Sequence, residues 1–328
     1  RLIGPVVPLV LTWAAMAFVF RKFGVSFEMI QHGSVLALVP MWFLAVYLLV
    51  VLLVPVTHAA WRRFGIRSFW ALAALAAVFD VLRFHDGHQP AVAWVNYVFV
   101  WGAVHQLGYL WRDGRLAGPR RALPWFVGGA LAWALLARYG PYPISMVGVP
   151  GEEISNTSPP DLLLLAFATA QVGLALTLEG PVRRWLAHPR AWAATVLVNG
   201  TIMTVYLWHL TVLALLLGLA LLLGGVGLHY VPGTWPWWVA RVPWFAALAA
   251  GLGLLMPLVG RFERSAPLPP DFQPSTLRVL AGTALVSAGI AFLALDGIAA
   301  AGAVGVRGVV VGGLIAGAAL LGAYGHPP

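Results

Sequence analysis

Cysteine is absent from this chain, which excludes disulfides, thiolate metal sites and cysteine nucleophiles and leaves the redox compartment unread. Charge is scarce as well. Only 9% of the residues are Asp, Glu, Lys or Arg, against roughly 25% in an ordinary soluble domain. Hydrophobic residues make up 61%, and the mean hydropathy is +0.86. Such a composition excludes an ordinary water-soluble fold. No His-Glu-x-x-His pair, phosphate-binding glycine loop followed by Lys and Ser, or Gly-x-Ser-x-Gly elbow occurs, so three common catalytic frameworks lack their signatures. The formal net charge is +9, but the basic residues form no long tract and no aromatic-basic face, which removes nucleic acid as a partner.

What is present is apolar sequence in pieces close to the ~20 residues needed to cross a bilayer. The runs fall at about 5 to 20, 39 to 57, 68 to 83, 91 to 110, 123 to 138, 161 to 179, 192 to 223, 237 to 259, 277 to 295 and 304 to 324. They predict an all-α, polytopic transmembrane helix bundle of about ten spans. The seventh run is long enough for one tilted or kinked helix, with Gly218, Gly224 and Gly225 giving it room to bend or end.

Alternating the loops between two sides segregates the cations. One face receives Arg1, Arg62, Arg63, Arg67, Arg112, Arg115, Arg120, Arg121, Arg183, Arg184, Arg190, Arg261, Arg264 and Arg278, and the other keeps Arg21, Lys22, Arg83, Arg138, Arg241 and Arg307. Fourteen against six in short loops puts the first face in the cytoplasm and the protein, multi-pass, in a plasma or inner cell membrane. The outer loops include His85-Asp86-Gly87-His88, in which the two histidines offer a weak metal clip, and a long proline-rich segment at 139 to 160 containing Asn156. That segment reads as an ordered lid or substrate-facing loop, or else as a surface connection. Residues 1–264 form a core of about eight helices, 265–275 a Pro-rich cytoplasmic linker, and 276–328 a two-helix membrane appendage whose small residues suit close packing or a homo-oligomer.

Ionisable groups inside spans are costly, so each is a candidate for function. Asp80 and Arg83 share a helix face at i,i+3 and form either a structural pair or part of a polar cavity. His105 and Tyr109 share a face at i,i+4, next to Gln106 and on the same span as Asn96. In the seventh run Thr201, Thr204 and Tyr206 bring hydroxyls near His209. Histidine serves as a general base near neutral pH, so His209 and His105 are the catalytic candidates, each with a bland alternative as a hydrogen-bonded helix residue.

Met41-Trp42-Phe43-Leu44-Ala45-Val46-Tyr47, the basic Trp61-Arg62-Arg63-Phe64-Gly65, Asn96-Tyr97-Val98-Phe99-Val100-Trp101 leading to His105-Gln106-Leu107-Gly108-Tyr109, and Tyr206-Leu207-Trp208-His209 follow one another in an order that resembles the integral-membrane family known as acyltransferase 3. The resemblance covers roughly residues 1 to 264. It implies transfer of an acyl group, often acetyl, from a cytoplasmic acyl-CoA to a hydroxyl of a glycan or similar acceptor, with no metal. Asp80, Arg83, Trp42, Gln106, Tyr206 and Asn156 are then the substrate-binding candidates. The family carries an essential histidine in its first helix, whereas Arg1-Leu2-Ile3-Gly4-Pro5 looks like the start of its third, so that histidine has no counterpart here. Two further spans ahead of Arg1 are the expectation, and an inactive protein is the alternative. A transporter or flippase is the rival function. It predicts paired halves with broken helices near the midplane, and no convincing internal repeat is seen. A non-catalytic membrane scaffold is a third reading.

Overall fold

The computed structural model describes residues 3–85, 90–148, 154–263, 273–301 and 304–323. Among them regular structure is helical, with nothing more extended than isolated bridges. The helices are α1 Val6–Lys22, α2 Phe27–Leu38, α3 Trp42–Phe64, α4 Arg67–His85, α5 Pro90–Ala93, α6 Asn96–Arg112 and α7 Pro119–Tyr139, followed by α8 Leu162–Thr177, α9 Glu179–Leu186, α10 Pro189–Asn199, α11 Ile202–Leu222, α12 Trp235–Val259, α13 Thr276–Asp296 and α14 Gly308–Leu320. The metal clip (apart from His85), the centre of the 139 to 160 loop and most of the linker lie outside the described residues.

Two expectations about helix ends change. The stretch after Lys22, expected to be loop, contains α2: Ser26 caps it by accepting a hydrogen bond from the Met29 amide at 3.3 Å. A short 3₁₀ turn, Val39–Met41, then leads into α3. The seventh run breaks at Gly200-Thr201 into α10 and α11. Gly218 stays inside α11, while Gly224 and Gly225, with φ of 80° and 81°, take the left-handed conformation that ends the chain's helical path there.

Several helices meet the demands of a bilayer. By length and hydropathy, the continuous run Phe27–Phe64 and helices α4, α11, α12 and α13 are each able to span, and α8 with α9, bent by 53°, forms a sixth candidate. None of the 25 residues of α12 is buried, although the helix is apolar almost throughout. An apolar face of that size on a soluble monomer would drive aggregation, whereas against lipid it costs nothing. The chain is therefore a membrane-type helical bundle.

It divides into two compact units, one made of residues 1–48 and 194–328 and the other of 49–193. In the first, Leu9 and Trp13 of α1, Leu38 of α2, Leu207 and Trp208 of α11, Ile290 and Leu293 of α13 and Leu314 of α14 belong to one buried cluster. The indole N–H of Trp13 donates to Thr211 Oγ1 at 3.0 Å inside it. The last two helices thus share the core of this unit. Ser34 of α2 accepts from the Ile298 amide at 3.1 Å, and a Cβ on Gly297, which has φ 66°, would collide with the Ser34 hydroxyl.

In the second unit α7 and α8 approach closely because glycine leaves room. A Cβ on Gly129 would sit 2.5 Å from the Ala170 backbone nitrogen, and one on Gly173 would strike the backbone at Phe126. Helices α3, α4 and α6 surround a core of Trp61, Phe69, Val100 and Leu107.

Candidate functional site

The second unit carries a different polar cluster at each end. At one end α3 and α6 finish while α4 and α7 begin. Tyr109 and Thr57 hydroxyls lie 3.1 Å apart, and Gln106 donates from Nε2 to the Thr57 carbonyl at 3.1 Å while accepting from Ser68 Oγ at 3.1 Å. The indole of Trp61 donates to Asp113 Oδ2 at 2.8 Å. Arg112 Nη2 is 3.3 Å from His58 Nε2, and its guanidinium lies 5.7 Å from the Tyr109 ring centroid. His58 accepts in that contact, because arginine has only donors. Around this cluster Arg62, Arg63, Arg67, Arg112, Arg115, Arg120 and Arg121 are all exposed. Asp113 is the sole acid among these termini, lying 3.6 Å from Arg112.

At the other end the cluster is buried and contains two acids. Asp80, 1% exposed, accepts three hydrogen bonds: from Asn96 Nδ2 at 2.9 Å, from the Tyr142 hydroxyl at 2.9 Å and from the Leu162 amide at 2.7 Å. Its charge is held by donors from α6, the α7–α8 connection and the start of α8, which is how a carboxylate survives inside apolar surroundings. Burial, and after it the adjacent Asp80 carboxylate, pushes the Tyr142 hydroxyl well above the usual phenol range, so Tyr142 stays a donor. Asn156 Nδ2 bridges the carbonyls of Pro143 and Ser145, each at 2.7 Å. Tyr97 donates to the Thr157 carbonyl at 3.3 Å. The described parts of the long connection are therefore ordered by side-chain hydrogen bonds.

The predicted pairing of Asp80 with Arg83 takes another form. Arg83 Nη1 lies 4.0 Å from Asp161 Oδ2 and 3.5 Å from the Pro159 carbonyl, and Asp80 is filled by its three donors. Asp161 caps α8, its Oδ1 accepting from the Leu164 amide at 3.0 Å.

Among the other predicted residues, Gln106 is engaged at both ends of its amide, and His105 meets Tyr109 edge-on with ring centroids 4.8 Å apart. His105 Nδ1 is buried with no hydrogen-bond partner among the described residues. His105, Gln106, Asp80, Arg83 and Asn156 belong to the second unit, Trp42, Tyr206 and His209 to the first. There Tyr206 donates to the Pro40 carbonyl at 2.9 Å, and Phe43 packs between Trp42 and Tyr206, at centroid distances of 6.2 and 6.0 Å. His209 Nδ1 is 2.8 Å from the Tyr206 carbonyl. That nitrogen donates to the carbonyl, so Nε2 is the ring atom left to face a substrate. The hydroxyls expected around it are spent elsewhere in two cases, Thr201 on the Leu197 and Val198 carbonyls and Tyr206 on Pro40.

Sequence reasoning missed His58, Tyr142 and Asp161. His58 lies three residues before Trp61 on α3, a spacing that marks a shared helix face. Asp161 immediately before an apolar run is a helix-start signal. Tyr142 had no local signal, since its partner is far away in the chain.

Two grooves in the structure are almost wholly apolar. One of about 720 Å³ lies between α11 and α12, and one of about 390 Å³ lies among α4, α7 and α8. Their linings suit hydrocarbon.

The fold and these polar ends define a helical membrane protein with candidate chemistry inside it. A family model described as an acyltransferase domain matches residues 1–258. The chain belongs to the acyltransferase 3 family, and is a membrane acyltransferase in that general sense. No curated protein and no solved structure matches it significantly. The match stops short of α13 and α14, although both share the core of the first unit.

Proposed function

We propose that this protein moves an acyl group, often acetyl, from a cytoplasmic acyl-CoA to a hydroxyl of a glycan or similar acceptor on the outer side of a plasma or inner membrane. About ten spans, with the arginine-rich loops inside, are part of this reading. The observation that carries it is the exposed set of seven arginines at one end of the second unit, accompanied by a single acid. Guanidinium groups in that density suit the phosphates of coenzyme A, which they bind as charged, forked donors. At the opposite end the described parts of the connection between α7 and α8, held by Asp80, suit an acceptor.

The reaction needs a general base to take the proton of the acceptor hydroxyl as its oxygen attacks the thioester carbonyl. Donors then stabilise the oxyanion, and the carbon–sulfur bond breaks with release of coenzyme A, whose sulfur takes a proton. His209, whose Nδ1 is engaged and whose Nε2 is the ring atom left to act, is the better of the two histidine candidates for shaping that chemistry, and His105 the second. Lipid bilayer, acyl-CoA and acceptor are the partners in this account, with self-association through small-residue helix faces as an additional one.

Incubating membranes that contain the full-length protein with radiolabelled acetyl-CoA tests the proposal. Alkali-labile label on a lipid-linked or secreted glycan supports it. Movement of a substrate across the membrane without covalent change supports the transporter instead.

A further inference from the structure

Asp161 is fully buried, and its two oxygens have different fates. Oδ1 caps α8, whereas Oδ2 has no hydrogen-bond partner among the described residues. Opposite it stands Arg83, only 5% exposed, whose Nη1 is 4.0 Å from Oδ2 and makes a long 3.5 Å bond to the Pro159 carbonyl. A guanidinium has five N–H donors; Nη1 makes those two contacts, and the group lies 5.0 Å from the Phe84 ring centroid.

Neighbouring groups do not close the gap. The Tyr142 hydroxyl and Asn96 Nδ2 are committed to Asp80, and Asn156 Nδ2 to the Pro143 and Ser145 carbonyls, while the buried amide oxygens of Asn96 and Asn156 are acceptors and cannot donate to Asp161 Oδ2. A buried acceptor and a buried cation 4.0 Å apart are too distant for a direct hydrogen bond but well placed to share one small O–H group. That group would donate to Asp161 Oδ2 and accept from Arg83. An anionic ligand would meet the Asp80 carboxylate here, and a cationic one would meet Arg83, so a neutral hydroxyl is the chemistry that fits.

We propose that Arg83 and Asp161 form a hydroxyl-binding subsite for a neutral sugar or polyol, which, resting on the reaction proposed above, positions the acceptor. Asp80 is not part of the recognition; it holds Tyr142 and the start of α8 so that Asp161 keeps its place. Water has the same hydrogen-bonding chemistry as a sugar hydroxyl, and the two occupants give different results in a binding experiment.

The test uses the full-length protein in lipid nanodiscs, with glucose, galactose, N-acetylglucosamine, inositol and glycerol as probes. Binding is followed by saturation-transfer NMR. The D161N variant retains an oxygen for the α8 cap, because asparagine caps helices as well as aspartate, but it presents an amide where Oδ2 accepted. R83K keeps the charge and loses the fork. Saturable binding of at least one probe, weakened about tenfold or more in D161N and R83K, is expected for a lost hydrogen bond to a charged group. If no probe binds, or binding is the same in both variants, the gap holds water only and the proposal is wrong. Should D161N unfold, a drop in its melting temperature reveals it and R83K carries the comparison.

Acyl transfer measured on the same preparation is a separate readout. Transfer whose acceptor KM is unmoved in D161N and R83K overturns the subsite alone. Probe binding that depends on both residues, in a protein that transfers nothing, overturns the reaction and leaves the subsite standing.

Discussion

Tyr142 donates its hydroxyl to Asp80 Oδ2 across 2.9 Å, and this contact fixes the chain leaving α7 to the last turns of α4. Asp80 receives the Leu162 amide on the same oxygen, so both ends of the connection between α7 and α8 are tied to one carboxylate. Removing it strands three buried donors, each at a cost of about 1–3 kcal/mol. D80A is expected to destabilise the protein by at least about 3 kcal/mol and to raise hydrogen exchange across residues 141–148 and 154–162. Y142F loses one bond and is expected to cost about half as much. Equal melting temperatures for wild type and D80A would show that the anchor is not structural.

Alkaline pH probes the same contact. The Tyr142 hydroxyl is raised above its unfolded value of about 10, so the folded state holds its proton where the unfolded state has lost it. Its contribution to stability is therefore complete below about pH 10 and declines as the pH rises through the folded-state value. Melting temperature measured from pH 8 upward should fall less steeply in Y142F than in wild type. Parallel curves would remove Tyr142 from the explanation.

Helices α7 and α8 offer a comparison between glycines on the same helix. At Gly129 a methyl group would press on the α8 backbone, while at Gly128 nothing lies within 4 Å. G129A is expected to destabilise by about 1–3 kcal/mol through overpacking. G128A gains helix propensity of up to about 1 kcal/mol and meets no obstacle. Thermal melting of the two purified variants decides between this packing account and a general intolerance of substitution in α7.

His209 carries the catalytic proposal in the first unit. Its Nδ1 is committed to the Tyr206 carbonyl, leaving Nε2 for a substrate proton. If it serves as the base, H209A should lower acyl transfer by about 10²- to 10⁴-fold at unchanged abundance in the membrane. Wild-type turnover in H209A would exclude it.

Much of the architecture was legible because apolar length is a strong signal and the helical class follows from it, while the family resemblance rested on the ordered motifs between Met41 and His209. Helix ends were less legible. Glu28, Gln31 and His32 dilute the hydropathy of α2 and hid it, although Ser26 carries the capping signal. The break at Gly200-Thr201 was masked by aliphatic residues on both sides. In the candidate site, spacing correctly suggested that His105 meets Tyr109, since that contact lies within one helix. It left Asp80 and Arg83 open as a pair or as parts of a polar cavity, and could not show Asp161, which reaches Arg83 through tertiary packing that no local spacing encodes. The same reason hid Tyr142, whose role exists only when the connection folds back on α4.

The central claim is that donor phosphates are held at the arginine-rich face and that the acyl group ends on a hydroxyl across the membrane. Sealed vesicles of both orientations, containing the full-length protein and given radiolabelled acetyl-CoA from outside, test it most directly. Ester-linked label on the glycan should form when the donor faces the loops carrying Arg62, Arg63 and Arg112, with the donor KM raised by R112Q and by salt. Labelling from the opposite face alone, or passage of the acceptor with no ester formed, would contradict the account.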